Sequence, residues 1–240
     1  MEDSTIQQQL LKNSFKFAWL FPERPSWLYR LQSNVVTFGV YCFAKFVLCG
    51  LNRIKINPEH KKIILDLIED DTRPLITMAN HRSVVDDPLI WALFSFKEFY
   101  NNMSRFRFLF NIPLCWVHIF PEAEVTTTPI RIKWGIARMI ADSKLPPILL
   151  PIWTRGMADA WPNTKPYFPR IGKTVEIHVG TPVDTAIWIS AFPIEKETEL
   201  QRRKRLADLV QEQLYNLGEQ VEKQKFIIGE RIKNNTSKRK

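Results

Sequence analysis

The chain has 240 residues, of which 45% are hydrophobic, and this is enough to build one sizeable hydrophobic core. Its net charge of +9 suits an anionic membrane surface or a nucleic acid, but no RNP, zinc-finger or helix-turn-helix pattern accompanies it, so we expect no nucleic-acid partner. Three cysteines without ligand spacing and four scattered histidines predict neither a disulfide framework nor a metal site.

The N-terminal region predicts a membrane-association segment over residues 1–52. Aromatic residues are dense up to Trp27 and are interrupted by Pro22 and Pro25, and the apolar run Val35–Leu51 follows with Lys45 as its one charge. Such a run is short for a bilayer, which needs about 20 apolar residues, and a lysine near its middle would be costly there. We therefore expect an interfacial or re-entrant helix whose lysine reaches the headgroups, with a buried core helix as the alternative.

The middle of the chain alternates between short apolar runs and helical patterns, which is typical of an α/β domain. The predicted strands are Leu75–Ala79, Val117–Phe120, Ile148–Trp153 and Val175–Val179. The predicted helices are His60–Glu69, Pro88–Lys97 and Ile130–Ser143. Because no internal repeat or second core is visible, we expect one domain over residues 53–221.

The C-terminal part predicts one long amphipathic helix followed by a basic tail. Apolar residues from Leu206 to Val221 recur at spacings of three and four, and Thr198 with Gln201 forms a capping-box pattern before them. Residues 222–240 carry seven Lys or Arg against two Glu. We expect this tail to contact anionic lipid.

The loop between the strand Leu75–Ala79 and the helix at Pro88 has the clearest chemical pattern. Asp87 is predicted to cap the helix, and Pro88 takes the first helical position, where no N–H donor is needed. A loop that closes on a helix start can bring the imidazole of His81 and the carboxylate of Asp86 together. That pair forms a general base, because the carboxylate orients the ring and stabilises the imidazolium. At this spacing alone, an ordinary cap and an isolated loop histidine remain the alternative.

Further motifs extend this pattern over most of the chain. Asn-His-x4-Asp after a strand resembles the first motif of the glycerophospholipid acyltransferase family, and the form with Asp-Asp-Pro most resembles its tafazzin branch. Trp116–Glu122 resembles the Phe-Pro-Glu-Gly motif of that family. Three later segments also resemble it: Arg131–Ile136, Pro147–Trp153 and Pro166–Arg170.

The resemblance implies a single acyltransferase domain with a mixed central sheet flanked by helices, and a phospholipid–lysophospholipid transacylase that remodels cardiolipin without a metal or cofactor. It makes His81 the general base and Asp86 its partner. Glu122 would bind the acceptor or brace a basic neighbour, and a carboxylate that only caps the next turn is the alternative. The residues expected to support the motifs are Asn80, Asp87, Pro88, Phe120 and Pro121.

The same resemblance implies phospholipid and lysophospholipid substrates at an anionic membrane surface. It places the protein on a mitochondrial membrane, inner or outer, facing the intermembrane space and attached from one side. Two other functions stay open: an acyl-CoA-dependent lysophospholipid acyltransferase, and a catalytically impaired membrane-associated isoform. The sequence does not predict an oligomeric state.

Two departures from the family pattern stand out. Residues 81–121 contain no glycine, although the family carries a Gly-then-Arg second motif there that helps hold the lipid headgroup. We therefore expect several tens of residues to be missing near 108–115, together with part of the sheet, while Arg105 and Arg107 offer substitute charge. Ala123 stands where the family has glycine, and it would be strained by about 1 kcal/mol if the backbone needs a positive φ.

Overall fold

The computed structural model describes residues 26–70, 72–102, 116–191 and 198–229. Contacts between Cα atoms divide the chain into two compact units, Met1–Val40 and Tyr41–Lys240. The aromatic residues before Trp27, the segment 103–115 with Arg105 and Arg107, and the tail beyond Gly229 lie outside the described residues.

The predicted apolar helix is present as α1, Trp27–Lys45, which continues as a π-helical stretch over Phe46–Gly50. It begins eight residues before the predicted start at Val35, at a point where the hydroxyl oxygen of Ser26 accepts a hydrogen bond from the N–H of Tyr29 at 3.2 Å. In the part of the chain that the structure describes, Trp27–Gly50 is the one helix with the length and apolar composition to cross a membrane.

The part of this helix that belongs to the second unit, from Tyr41 to Gly50, has one exposed face and one buried face. Phe43 and Phe46 are exposed there. The buried face consists of Tyr41, Ala44, Val47 and Leu48. This amphipathic pattern is typical of a helix that rests one side on a protein core and leaves the other for a different apolar surface.

The second unit is built on a mixed six-stranded sheet, which confirms the predicted fold class. The strands are β1 (Arg53–Ile56), β2 (Leu75–Ala79), β3 (Trp116–Ile119), β4 (Ile148–Arg155), β5 (Thr174–Val179) and β6 (Val183–Asp184). Their order is β1-β5-β4-β2-β3, and β6 also pairs with β4. The pairs β1–β5, β2–β3 and β2–β4 are parallel, whereas β4 is antiparallel to β5 and β6.

Burial explains which strands the sequence predicted well. Every residue of β2 is buried between two neighbours, and its continuous apolar run identified it with the correct bounds. The strand β1 escaped prediction because it is a short edge strand whose residues alternate between basic and apolar side chains.

Helices flank the sheet. They are α2 (Pro58–Glu69), α3 (Asp86–Ile90), a 3-10 turn (Trp91–Leu93), α4 (Phe96–Asn102), α5 (Gly135–Ala141), α6 (Met157–Ala160), α7 (Thr185–Ser190) and α8 (Glu199–Glu222). Thr198 and Gln201 form the predicted capping box at the start of α8. The apolar stripe of α8 packs with α5 against the buried face of β4, where Trp153 is fully buried.

Two predicted helices are shorter than the sequence patterns indicated. The helix Pro88–Lys97 is wrong as one element because Ser95 and Glu98 form a second capping box, with 2.6 Å from the N–H of Ser95 to the Glu98 carboxylate, and start α4 anew. The helix Ile130–Ser143 keeps only Gly135–Ala141.

The strand that leads to the histidine loop lies inside the sheet. β2 pairs directly with β3, from Leu75↔Trp116 to Met78↔Ile119, and with β4 on its other side. The strand that carries the histidine loop therefore has neighbours on both sides, and no gap separates it from the Phe-Pro-Glu strand.

Candidate functional site

The candidate site lies at the carboxyl ends of three parallel strands. The loop with His81 follows β2, the Phe-Pro-Glu turn follows β3, and Gly156 follows β4. Because β2, β3 and β4 are parallel and adjacent, these loops meet at one edge of the sheet, where ligands bind in open α/β sheets. Gly156 is required there, since it has φ 79° and a side chain would lie 2.2 Å from the carbonyl oxygen of Thr174.

The structure brings His81 and Asp86 together. Nδ1 of His81 lies 3.0 Å from Oδ2 of Asp86, and the carboxylate is buried while the imidazole side chain keeps 19% of its surface exposed. The imidazole stacks on the ring of Phe120, with 4.4 Å between centroids and an interplanar angle of 20°. The ring is therefore held by a hydrogen bond at one nitrogen and by an aromatic neighbour on its face.

The oxygen of Asp86 that contacts His81, Oδ2, also binds the backbone of the loop between His81 and Asp86. Oδ2 also accepts hydrogen bonds from the N–H groups of Arg82 and Ser83, at 2.6 and 2.8 Å. Burial raises the pKa of Asp86, while these donors and His81 act in the opposite direction by stabilising the carboxylate. The turn that these bonds form explains how residues five positions apart come into contact.

Asp87 and Pro88 are placed differently from the prediction. Helix α3 begins at Asp86, so Asp87 lies inside the first turn rather than before it, and Pro88 occupies the third helical position. Pro88 is still within the first turn, where a missing N–H breaks no helical hydrogen bond. The side chain that binds the free N–H groups of the loop is that of Asp86 rather than Asp87.

Asn80 anchors the loop to β4. Its side-chain amide donates to the carbonyl of Thr154 at 3.0 Å and accepts from the N–H of Thr154 at 2.7 Å. Farther along the loop, Asn163 donates to the carbonyl of Arg82 at 2.6 Å, and Ser83 donates to the carbonyl of Trp161 at 2.9 Å. These partners on β4 and in the loop after α6 have no signal in the sequence, because nothing local indicates a contact with residues 74 to 81 positions away.

Glu122 is fully buried and faces the protein. Its Oε2 accepts the N–H of His81 at 2.7 Å, and its Oε1 lies 3.1 Å from the hydroxyl of Tyr215. The carbonyl of His81 in turn accepts the N–H of Thr126 at 3.0 Å. Burial raises the pKa of Glu122. These contacts favour a bracing role over direct contact with the acceptor, and they brace the backbone of the histidine loop.

The turn around Glu122 has a strained residue. Ala123 has φ 51°, and its N–H donates to the carbonyl of Phe120 at 2.9 Å. The backbone at Ala123 thus has the positive φ that was the condition for the predicted strain. Residues with a side chain rarely adopt this conformation, whereas glycine does so readily. Pro121 is buried, and its carbonyl accepts the N–H of Lys133 at 2.9 Å, which ties the turn to the segment before α5.

Tyr215 of α8 joins the candidate site through Glu122, and the sequence pattern indicated only that it lies in the helix. Its hydroxyl accepts the N–H of Ile130 at 3.1 Å and lies within hydrogen-bond reach of the carbonyl of the same residue. Nearby, Gln211 accepts the N–H of Ile132 at 3.1 Å. These bonds hold the segment before α5 in a non-helical conformation, which is why the predicted helix Ile130–Ser143 is shortened.

Among the described residues, no group of three His, Cys, Asp or Glu side chains is arranged to hold a metal ion. The chemistry available at the edge of the sheet is that of an imidazole polarised by a carboxylate, partly open to solvent and beside an aromatic ring.

Comparisons with known proteins give relatives named Tafazzin and one named N-acylphosphatidylethanolamine synthase. The chain is 30% identical to Tafazzin of Drosophila melanogaster, covering 87% of this chain and 67% of the fly protein. It is 26% identical to N-acylphosphatidylethanolamine synthase of Arabidopsis thaliana (64% of this chain, 71% of the plant protein) and 24% identical to Tafazzin of Saccharomyces cerevisiae (74% and 69%). No protein-family model matches the chain.

A distant likeness to one solved structure also exists. The 1-acyl-sn-glycerophosphate acyltransferase PlsC of Thermotoga maritima is 17% identical and superposes with a TM-score of 0.44 over 89% of both chains. A likeness of this size is too distant to carry an argument about function.

The alignment with the fly protein also contains a difference in length. It runs over 253 positions, whereas 87% of this chain amounts to about 209 residues. About 44 aligned positions therefore have no counterpart in this chain. With the identity and coverage found for the fly protein, the relatives support a phospholipid acyltransferase, and the chain belongs to the tafazzin family.

Proposed function

We propose that the protein transfers acyl chains between phospholipids and lysophospholipids, remodels cardiolipin and related phospholipids, and works on a mitochondrial membrane. The observation that carries the proposal is the 3.0 Å contact between Nδ1 of His81 and buried Asp86 at the edge of the sheet where the loops after β2, β3 and β4 meet. The family membership supports the substrate class, because relatives named Tafazzin align with most of this chain.

In the proposed reaction His81 is the general base. With its Nδ1–H donated to Asp86, Nε2 has a lone pair that takes the proton from the free hydroxyl of a lysophospholipid. The resulting oxygen attacks the ester carbonyl of a second phospholipid and forms a tetrahedral oxyanion. When that intermediate collapses, the donor's C–O ester bond breaks and the imidazolium returns its proton to the leaving glycerol oxygen. One phospholipid and one lysophospholipid are consumed, and one of each is formed.

The oxyanion needs hydrogen-bond donors, and backbone N–H groups are the default. Three N–H groups of the loop are already committed, because His81 donates to Glu122 while Arg82 and Ser83 donate to Asp86. These three therefore position the base rather than bind the oxyanion in this conformation.

Membrane attachment from one side is part of the proposal. The exposed aromatic side chains Phe43 and Phe46, near the end of α1, fit a helix that lies in the interface between lipid and water. The ammonium of Lys45 lies 5.9 Å from the ring centroid of Tyr41. The side of the mitochondrial membrane and the domain limits 1–52, 53–221 and 222–240 belong to the same proposal.

The test is acyl exchange in vesicles that contain a labelled phospholipid and an unlabelled lysophospholipid, with and without acyl-CoA. We expect His81→Ala to lower turnover by about 10³-fold or more and Asp86→Asn by about 10²-fold or more, with folding and vesicle binding retained. A folded His81→Ala protein with the parent's turnover contradicts the assigned base. Turnover that requires acyl-CoA indicates the thioester-dependent acyltransferase, and vesicle binding without any turnover indicates an impaired isoform.

A further inference from the structure

A buried hydrogen-bonded path connects the long C-terminal helix to the proposed base. It runs from the hydroxyl of Tyr215 to Oε1 of Glu122, over 3.1 Å, and from Oε2 of Glu122 to the N–H of His81, over 2.7 Å. Tyr215 is 3% exposed and Glu122 is not exposed at all, so neither side chain is available to bulk solvent. Both bonds lie where the effective dielectric is low and a lost partner is costly.

The ring of Tyr215 is held on two sides. Trp153 of β4 packs edge-on with 6.4 Å between centroids, and Phe226 packs edge-on with 6.1 Å. Gly218, one turn later on α8, permits this packing because a Cβ there would lie 2.6 Å from the ring of Trp153. The hydroxyl therefore has a position set by the core of the domain, and its two bonds to the backbone of Ile130 fix it further.

The peptide units on both sides of His81 depend on this arrangement. The N–H of His81 is bound by Glu122, and its carbonyl accepts the N–H of Thr126, which follows Glu122 in the same turn. A shift of Glu122 would move the backbone from which the imidazole projects. A displacement of about 1 Å at a reacting group can cost about 10²-fold in rate.

We propose that Tyr215 is a positioning residue of the acyl-transfer site and that it acts through Glu122 by holding the backbone of His81. This inference rests on the proposed role of His81. It assigns the C-terminal helix a part in the reaction although α8 contributes no group to the reacting atoms. The hydroxyl is the relevant group, since the packing of the ring is available to phenylalanine as well.

The experiment compares Tyr215→Phe, Glu122→Ala and the double variant in the vesicle exchange assay. Tyr215→Phe keeps the ring and removes the hydroxyl, so we expect kcat to fall about 10-fold to 100-fold with KM changed by less than about 3-fold. If Tyr215 acts through Glu122, the double variant is no slower than Glu122→Ala alone. If the losses in kcat of the two single variants multiply in the double variant, the hydroxyl acts only on the Ile130 segment, and the inference is overturned.

Tyr41→Phe is the matched control. The hydroxyl of Tyr41 donates to the carbonyl of Phe94 at 3.0 Å in another buried part of the unit, so its removal is the same chemical change outside the path. We expect its kcat to stay within about 2-fold of the parent. A decrease in kcat as large as that of Tyr215→Phe would reflect general loosening and contradicts the inference.

Deuterium exchange of the peptide that contains His81–Asp86 gives a readout that needs no turnover. We expect faster uptake in Tyr215→Phe than in the parent or Tyr41→Phe, because the support of the His81 N–H is weakened. Unchanged uptake or unchanged kcat overturns the inference. Full turnover by His81→Ala instead contradicts the proposed function, and uptake then still decides whether Tyr215 holds the loop.

Discussion

At the scale of single residues, the site combines a partly exposed imidazole, the proposed base, with two buried carboxyl groups. Asp86 orients the ring of His81, whereas Glu122 holds the backbone of the same residue. Burial raises the pKa of both carboxyl groups. The two acids therefore differ in their partners rather than in their burial.

The hydroxyl of Tyr215 has more hydrogen-bond partners than its single proton can serve. The single hydroxyl proton of Tyr215 cannot be donated both to Glu122 and to the carbonyl of Ile130, and its oxygen already accepts the N–H of Ile130. A proton on Oε1 of Glu122 satisfies every group, because Glu122 then donates to the hydroxyl and the hydroxyl donates to Ile130. Burial raises the pKa of Glu122 and favours this proton, whereas the N–H of His81, the charge of Arg82 and the hydroxyl of Tyr215 lower the pKa.

We therefore expect a pH-dependent stability difference between the parent and Glu122→Gln. Between the ordinary Glu pKa of 4.5 and the raised folded pKa, the folded parent keeps a proton that the unfolded parent loses, so the parent loses stability as pH rises through this window. The glutamine variant lacks this loss. The melting temperature of the variant minus that of the parent should rise between pH 4.5 and neutral pH. A difference that falls with pH would mean that Glu122 is ionised.

Ala123 offers a second prediction at this scale. Ala123→Gly should raise the free energy of unfolding by about 1 kcal/mol and the melting temperature by about 2–4 °C, because glycine adopts φ 51° without strain. Ala191→Gly is the control, since Ala191 has φ −61° and gains nothing from glycine. Equal melting temperatures for parent and Ala123→Gly would show that the turn bears no strain.

At the scale of elements, capping decides where helices begin near the site. Ser95 and Glu98 divide the predicted helix Pro88–Lys97, and the hydroxyl of Tyr215 keeps Ile130 out of α5. The capping box was visible in the sequence as Ser-x-x-Glu, whereas the contact with Tyr215 was not, because 85 positions separate the two residues. Local signals thus explain one of the two shortened helices.

The helix α1 carries the prediction about membrane attachment. The protein should remain with the membrane fraction in high salt and in carbonate, because Phe43, Phe46 and the rest of the apolar run prefer the lipid interface. Tags at Met1 and Lys240 should be digested by protease added to the same side. Protection of one tag and digestion of the other would identify a membrane-spanning helix. Phe43→Ser with Phe46→Ser should increase release by carbonate, and Tyr100→Ser, an exposed aromatic residue on α4, is the control.

At the scale of the whole molecule, the interval between His81 and Glu122 leaves no unpaired strand beside the histidine loop, because β2 pairs with β3 and β4. The proposal about this interval concerns function. Residues 81–121 contain no glycine, so the Gly-then-Arg motif implied by the family resemblance is not found there, and the alignment with the fly protein as a whole has about 44 positions without a counterpart in this chain.

Replacement of residues 108–115 by the corresponding segment of the fly protein tests whether the second motif is needed for full activity. We expect acyl exchange to increase at least about 10-fold, since a charge-assisted contact to a phosphate contributes about 1.5–3 kcal/mol. The same insert with its arginine changed to glutamine is the control and should give little gain. Equal turnover with and without the insert would mean that the second motif is dispensable in this chain.

The sequence by itself determined the α/β class, the position of β2, the start of α8 and the candidate pair His81 and Asp86. Each of these has a local signal: a continuous apolar run, a capping box, or a motif that resembles a known family. The tertiary structure decided which groups of the candidate site stay partly exposed and which are buried behind them. Glu122 became a support for the His81 backbone, and Tyr215 became its partner, because strands and helices distant in sequence meet at one edge of the sheet. Such contacts depend on how elements pack, and no periodicity within either element encodes them.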